Sequence, residues 1–332
     1  MGLDLITSKP SILGRITYSP AYTLVPTYEC FNRCEYCNFR VDPGQDSWLS
    51  LENADQKLRS LQNRGITEIL ILSGEVHPRS PRREEWFQHI YHLCELALSL
   101  GFFPHTNVGP LSYQEMERLK QVNVSMGLMI EQVTPRLLET VHRQAPSKLP
   151  ELRLQQLRWA GELKIPFTTG ILLGIGEREE DWWESLTAIA AVQEQYGHIQ
   201  EVIIQPQSLG QKQGLQISSF SLAKLPQIIT KAKAILPQSI TLQIPPNLIV
   251  DQHILLACLE AGVRDLGGIS PIDEVNPSYP HQDYQELSKI LQRSGWELVS
   301  RLPVYPAYYS WLDPILQEKI NKTVTKSQEN YP

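Results

Sequence analysis

Three of the chain's five cysteines, Cys30, Cys34 and Cys37, fall within eight residues in the run C-F-N-R-C-E-Y-C. A thiolate is a soft ligand, so cysteines this close point to zinc, an iron–sulfur cluster or a redox pair. Structural zinc takes four protein ligands, commonly from two C-x-x-C pairs or from one pair with histidines. No second pair exists here, and Cys94 and Cys258 stand alone in stretches patterned as helices. Three thiolates suit a 4Fe–4S cluster with one iron left open, because four-cysteine ligation would close it. An open iron can bind a small molecule, which favours catalysis over scaffolding. Zinc, a disulfide or ordinary reduced cysteines are the alternatives. An acidic chain without a visible export signal suggests a reducing compartment and disfavours the disulfide.

The same residues carry a resemblance. C-x-x-x-C-x-aromatic-C, with Tyr36 before the last cysteine, resembles the cluster loop of the radical S-adenosylmethionine (SAM) enzymes. The resemblance implies one 4Fe–4S cluster on Cys30, Cys34 and Cys37, with exchangeable SAM chelated at the open iron through its amino and carboxylate groups. It further implies electron transfer that cleaves SAM to methionine and a 5′-deoxyadenosyl radical.

Bulk properties set the frame for this chemistry. The 332 residues are 42% hydrophobic and 20% charged, with a formal net charge of −6. That is ordinary globular composition, enough for one large domain or two small ones. Mild acidity argues against a nucleic-acid face, which normally shows a basic stripe. No apolar run approaches the ~20 residues of a membrane span. The opening M-G-L-D-L-I-T-S-K-P lacks a basic region followed by an apolar core, so a cytoplasmic protein is expected.

The elements that must position the cysteines alternate β-rich runs with amphipathic stretches. Tyr22–Pro26 is the first strand candidate and runs into the cysteine loop, followed by a helix over Leu51–Asn63. Glu68–Leu72, Phe102–Thr106, Val122–Met129, Phe167–Leu173, Glu201–Gln205, Ser239–Gln243 and Arg264–Gly267 are the further strands. Helices are expected between them, including Pro135–His142, Glu151–Leu163 and Glu179–Tyr196. Strands alternating with helices imply a parallel sheet with right-handed crossovers. Eight units of roughly 30 residues match a TIM-like (β/α)8 barrel of ~250 residues. The barrel is expected over residues 21–295, with extensions over 1–20 and 296–332 and a disordered tail of ~10 residues. A doubly wound open sheet is the alternative. The cysteine loop directly after the first strand favours the barrel, whose active sites lie on loops at the carboxyl ends of its strands.

On a barrel, polar and glycine-rich strand ends become candidates. The second strand ends Ser73–Gly74–Glu75, similar to the G-G-E-like motif by which radical SAM enzymes hold the SAM amino group, with Ser73 in place of the first glycine. The third ends His105–Thr106–Asn107, where the Asn107 amide could bind a carboxylate or ribose hydroxyl or simply shape a turn. Similar enzymes contact the SAM ribose from strand four, which makes Ser125 and Glu131 candidates; Met126 and Met129 read as packing. The fifth strand, Thr168–Glu177, resembles the superfamily motif G-x-I-x-G-x-x-E, with Leu172 in the Ile position. The resemblance gives Gly170 and Gly174 close approach to the adenine and Leu172 contact with it. The run Leu266–Ser270, L-G-G-I-S, reads either as a phosphate cradle or as a tight turn beside a bulky substrate.

Longer blocks narrow the resemblance. P-H-T-N-V-G-P-L-S, V-N-V-S-M-G-L-M-I-E, V-H-R-Q-A-P-S-K, P-P-N-L and G-G-I-S-P-I-D-E-V-N-P occur in the order found in the ring-closing, CofG-type branch of the 7,8-didemethyl-8-hydroxy-5-deazariboflavin (FO) synthases. Pro206–Gln207 departs from the branch, where Asn-Phe is expected, and puts any substrate contact of that loop in doubt. The resemblance implies an ammonia-releasing lyase of deazaflavin (coenzyme F0/F420) biosynthesis. Its substrate is a hydroxybenzyl group joined to a ribityl-iminouracil, and its products are FO, 5′-deoxyadenosine, methionine and ammonia. With one cysteine motif per chain, a separate sister radical SAM (CofH-type) chain must make that adduct, and an external electron donor is needed. His142 and Arg143 are candidates for a proton partner or uracil contact, or for a surface pair at a helix end. Other readings are the tyrosine-using sister, a biotin-synthase-like or menaquinone-pathway enzyme, or a non-catalytic metal- or cluster-binding protein.

Overall fold

The computed structural model describes residues 13–210, 220–281 and 283–329. Eight parallel strands close on themselves. They are β1 (Gly14–Leu24), β2 (Glu68–Leu72), β3 (Phe103–Asn107), β4 (Ser125–Gly127), β5 (Phe167–Leu173), β6 (Ile199–Pro206), β7 (Thr241–Gln243) and β8 (Asp265–Ile269). Each pairs with the next, and β1 pairs with both β8 and β2, so the sheet is a closed (β/α)8 barrel and not an open doubly wound one. The helices α1 (Leu51–Leu61), α2 (Arg83–Ser99), α3 (Tyr113–Lys120), α4 (Pro150–Glu162), α5 (Glu179–Tyr196), α6 (Leu225–Ile235), α7 (Gln252–Ala261) and α8 (Tyr284–Arg293) follow the strands in turn.

Local chemistry sets the helix ends. Ser50 Oγ accepts from the Asn53 amide at the start of α1, and Ser112 with Glu115 forms a reciprocal capping box on α3. At the end of α5, Gly197 takes a left-handed φ of 71°. The core lies between barrel and helices. Trp86, Phe87, Ile90 and Leu93 of α2 are fully buried there, as are Ile69 and Ile71 of β2.

Five elements differ most from the sequence reading. β1 reaches back to Gly14 instead of starting at Tyr22. β4 pairs only over Ser125–Gly127, and Pro135–His142 folds as a 3-10 turn over Pro135–Glu139. Beyond the eighth unit lie a further strand, β9 (Trp296–Ser300), and a helix, α9 (Pro314–Glu329). β9 pairs in parallel with Gly14–Tyr18, the first half of β1. The tail for which disorder is expected is helical to Glu329, and Asn330–Pro332 lie outside the described residues.

The segment after β9 closes the amino-terminal end of the barrel. Arg301 Nε and Nη2 reach Asp265 at 2.6 and 2.8 Å, and Nη2 also pairs with Glu201. The Pro303 carbonyl accepts from Ser125 Oγ at 2.6 Å and Gln200 Nε2 at 3.1 Å. No helix among the described residues is long and apolar enough to cross a membrane.

Candidate active site

The loop between β1 and α1 carries the three cysteines and is folded around Glu29, a residue the sequence reading passed over. Its buried carboxylate accepts from the Gly44 amide at 2.6 Å, Trp48 Nε1 at 3.1 Å and Arg82 Nη1 at 3.2 Å. Burial pushes this carboxyl up, but those donors outweigh it and hold it below its ordinary value. The loop is pinned to β2 by the Phe31 amide on the Glu75 carbonyl (3.0 Å) and the Gly74 amide on the Thr27 carbonyl (2.8 Å). Approach at Gly74 is so close that a Cβ would fall 2.1 Å from the Glu29 carbonyl oxygen. Gly74 therefore seats the loop on β2.

Cys30, Cys34 and Cys37 are free, half-buried thiols on this loop, and the Cys37 amide bonds the Cys34 carbonyl at 3.1 Å. Burial, with Cys37, Glu131 and Cys30 beside it, pushes the Cys34 thiol up to about 12 despite the nearby Lys148 ammonium. Among the described residues no three His, Cys, Asp or Glu side chains close around a single metal ion. Three soft donors on one loop without a fourth suit the corners of an iron–sulfur cubane better than a closed zinc site.

Beside the loop, at the carboxyl ends of the strands, opens a cavity of about 320 Å³. Tyr36, Glu75, Asn107, Glu131 and Leu172, all singled out from sequence, line it together with Cys37. Glu75 lies 3.8 Å from the guanidinium of Arg153, and Gly109, at φ +81°, leaves it room, since a Cβ there would meet Glu75 Cδ at 2.3 Å. Glu131, at φ 61°, pairs with Lys148 Nζ at 2.5 Å. Burial raises this carboxyl, but Lys148 and Arg153 more than offset it and leave it below its usual value.

Lys148 and Arg153 were not foreseen. Arg153 is 2% exposed and donates from Nε to the Ser147 carbonyl at 3.0 Å. A signal for it existed. The buried stripe of α4 runs Pro150, Arg153, Gln156, Leu157, Ala160, so two polar side chains sit at inward helical spacing.

The remaining candidates are placed elsewhere. Ser125 begins β4 at the far end of the barrel, held by the Pro303 carbonyl and by His105 Nδ1 at 2.7 Å, away from the cavity. A Cβ on Gly170 would lie 2.3 Å from the Ile203 carbonyl oxygen, so this glycine fits β5 against β6. Gly174, at φ +93°, belongs to a turn whose amides at 174 and 175 donate to Glu177 at 2.6 and 2.7 Å. His142 is buried, and its Nε2 meets the Tyr36 hydroxyl at 2.9 Å. Burial and the Lys148 ammonium depress its imidazole to about 3 despite Glu131, so it is neutral and anchors Tyr36. Arg143 is on the surface beside Glu35, at 3.7 Å.

Loops after β6, β7 and β8 complete the rim. Asp273 accepts from Asn247 Nδ2 at 2.8 Å and from the Val275 and Asn276 amides at 2.9 Å. Ser208 Oγ donates to Asn276 Oδ1, and the Gln207 amide donates to the Leu173 carbonyl at 2.8 Å. Gln207, at the departure from the resembled branch, lines the cavity.

Comparison with known proteins agrees with this geometry. The Radical SAM superfamily profile matches residues 24–189. A 7,8-didemethyl-8-hydroxy-5-deazariboflavin synthase from Synechocystis sp. is 66% identical over 306 residues, covering 92% of this chain and 98% of that one. The protein of that name from Trichormus variabilis is 63% identical over 322 residues, covering 96% of this chain and 95% of its own. Among solved structures, the FeFe-hydrogenase maturase HydG from Carboxydothermus hydrogenoformans superposes with TM-score 0.72 at 20% identity, covering 96% of this chain and 79% of that one. Methylornithine synthase (PylB) gives 0.66 at 16% identity, over 86% of this chain and 84% of its own. These two likenesses concern the fold. The chain belongs to the radical SAM superfamily and, within it, to the 7,8-didemethyl-8-hydroxy-5-deazariboflavin synthase family.

Proposed function

We propose that this chain is the ring-closing subunit of FO synthase, which cyclises the hydroxybenzyl ribityl-iminouracil adduct to the deazaflavin and releases ammonia. The observation that carries the reading is one cysteine loop facing one cavity, in a chain matching 95% and 98% of relatives named for that product. A single loop serves a single radical initiation, so adduct formation from tyrosine falls to a separate sister enzyme, and reducing equivalents come from an external donor. Free thiols on the cluster loop are what a reducing, cytoplasmic setting would keep, and this supports that reading.

Cys30, Cys34 and Cys37 are the residues that would hold the 4Fe–4S cluster, which together with SAM supplies the radical. Glu75 offers an anionic acceptor for the SAM ammonium, and Arg153, fixed by backbone carbonyls, keeps that carboxylate in place. His142 holds Tyr36 beside Cys37. The Glu131–Lys148 pair and Leu172 form a wall already satisfied internally, which limits water at the reacting centre.

The test is anaerobic turnover of reconstituted protein. With adduct, SAM and reductant, FO fluorescence should appear with 5′-deoxyadenosine, methionine and ammonia. With free tyrosine and the ribityl-aminouracil, no adduct should form. Adduct made from tyrosine by this chain alone would assign it to the other half of the synthesis.

A further inference from the structure

Below the cavity beside the cysteines lies a second one, of about 190 Å³, inside the barrel. The two abut, sharing Asn107, Leu128 and Met129 as walls. A (β/α)8 barrel normally fills this interior with layers of Val, Ile and Leu. Here Thr23, Glu68, Thr168, Glu201 and Gln243 turn polar groups into an open chamber. Glu201 is already bonded by Thr168 Oγ1 at 2.8 Å and by Arg301, and a lining of this polarity suits a polar occupant better than an apolar one.

Its chemistry narrows the occupant. Arg301 is engaged by Asp265 and Glu201, whereas Glu68 has no ion pair among the described residues. Carboxylates outnumber the guanidinium and oppose an anion, which excludes the phosphate reading of the L-G-G-I-S run. Arg301, which also lines the chamber, opposes a cation. No Phe, Tyr or Trp side chain lines it, and its one imidazole, His105, is held by Ser125 Oγ at 2.7 Å, so the lining offers little for a flat ring system to stack on. A neutral chain of hydroxyls, each able to donate and accept, suits a lining that mixes carboxyl, hydroxyl and amide. Burial raises the Glu68 carboxyl, and that of Glu201 to about 7, and each presents lone pairs to hydroxyl donors. The chamber is below the ~300 Å³ of a whole-ligand pocket, which fits one arm of a larger molecule. Gly268 lines it, where a Cβ would face Glu68 Oε1 at 4.0 Å, so its absence widens the chamber at that carboxylate.

We propose that this chamber is the subsite for the polyhydroxyl (ribityl) arm of the substrate, bound by Glu68, Glu201, Thr23, Thr168 and Gln243, with the ring systems above it. The inference rests on the ring-closing assignment and adds where the substrate's sugar-alcohol arm goes and which residues select for it.

The test is equilibrium dialysis of reconstituted, unreduced protein with SAM, using FO and the same chromophore carrying a pentyl chain in place of ribityl. Wild-type protein should prefer FO by roughly tenfold or more, as expected for lost hydrogen bonds to charged groups. Glu68→Gln and, independently, Thr23→Val, both close in shape, should each weaken FO binding several-fold and leave the pentyl compound unchanged. Equal weakening of both compounds would mean a structural role and overturn the subsite, as would no weakening in either variant. Wild-type protein that converts adduct to FO yet binds both compounds equally overturns the subsite alone. Protein that makes no FO and binds neither compound overturns the ring-closing assignment with it.

Discussion

Cys94 is fully buried, with its sulfur 3.5 Å from both Thr106 Oγ1 and Asn123 Nδ2, and this separates it from the three cysteines of the loop. Replacing Cys30, Cys34 or Cys37 by alanine should abolish iron retention after anaerobic reconstitution, while Cys94→Ala and Cys258→Ser should keep it; iron and sulfide assays with the visible spectrum decide. Glu75→Gln keeps the shape that Gly109 accommodates and removes the charge. It should weaken SAM binding by about 1.5–3 kcal/mol, read by titration of the reconstituted protein, and an unchanged affinity would remove Glu75 from the ammonium site. Residues of this kind stand out in the sequence because their types are rare and their spacing is local. Lys148 and Arg153 do not, because what brings them to the cavity is burial against Glu131 and Glu75, which chain neighbours do not reveal. Ser125 lies on strand four, as expected, but at the end remote from the cysteine loop, a distinction the sequence pattern does not carry.

Elements were read best where pattern and pairing coincide. β2, β5 and α5 have the bounds expected from sequence. The Val122–Met129 run did not pair throughout. β3 and β5 each meet β4 over two residues, after which single bonds from the Leu128 and Ile130 amides carry the chain to the left-handed turn at Glu131. β1 was read short because Pro20 interrupts it. Proline is tolerated there although it cannot donate to a ladder, and its carbonyl still accepts from the Thr67 amide at 2.9 Å. Contact between β2 and the cysteine loop is the most sensitive joint at this scale. Gly74→Ala places a methyl group 2.1 Å from the Glu29 carbonyl oxygen. It should cost about 1–3 kcal/mol of overpacking in urea unfolding and lower iron loading, whereas an alanine at Gly44, which has nothing within 4 Å of its Cβ position, meets only its own φ of +86°.

At the scale of the whole molecule, the amino-terminal end of the barrel holds its own buried charge cluster, Glu201, Asp265 and Arg301. Burial lifts the Glu201 carboxyl from 4.5 to about 7, outweighing Arg301. A carboxyl raised on folding holds its proton more tightly in the folded state, so its contribution to stability is complete below pH 4.5 and is lost as pH rises through about 7. The thermal midpoint should therefore decline over that window in the wild-type chain and decline less in Glu201→Gln; equal slopes would count against the raised value. The barrel as a class was legible from eight alternating units. Its closure by the chain's end was not, because the Arg301 contacts with Glu201 and Asp265 span 100 and 36 residues.

That closure bears on how the protein is made. The first half of β1 waits for β9, and the groups at the foot of the barrel wait for Arg301, Pro303 and Tyr305. A nascent chain on the ribosome can thus close β1 against β8 before the residues that cover the foot of the barrel have emerged. Contacts of such long sequence separation form late and slowly. Until β9 docks, the unfinished barrel would expose one edge of the first half of β1 to neighbouring chains.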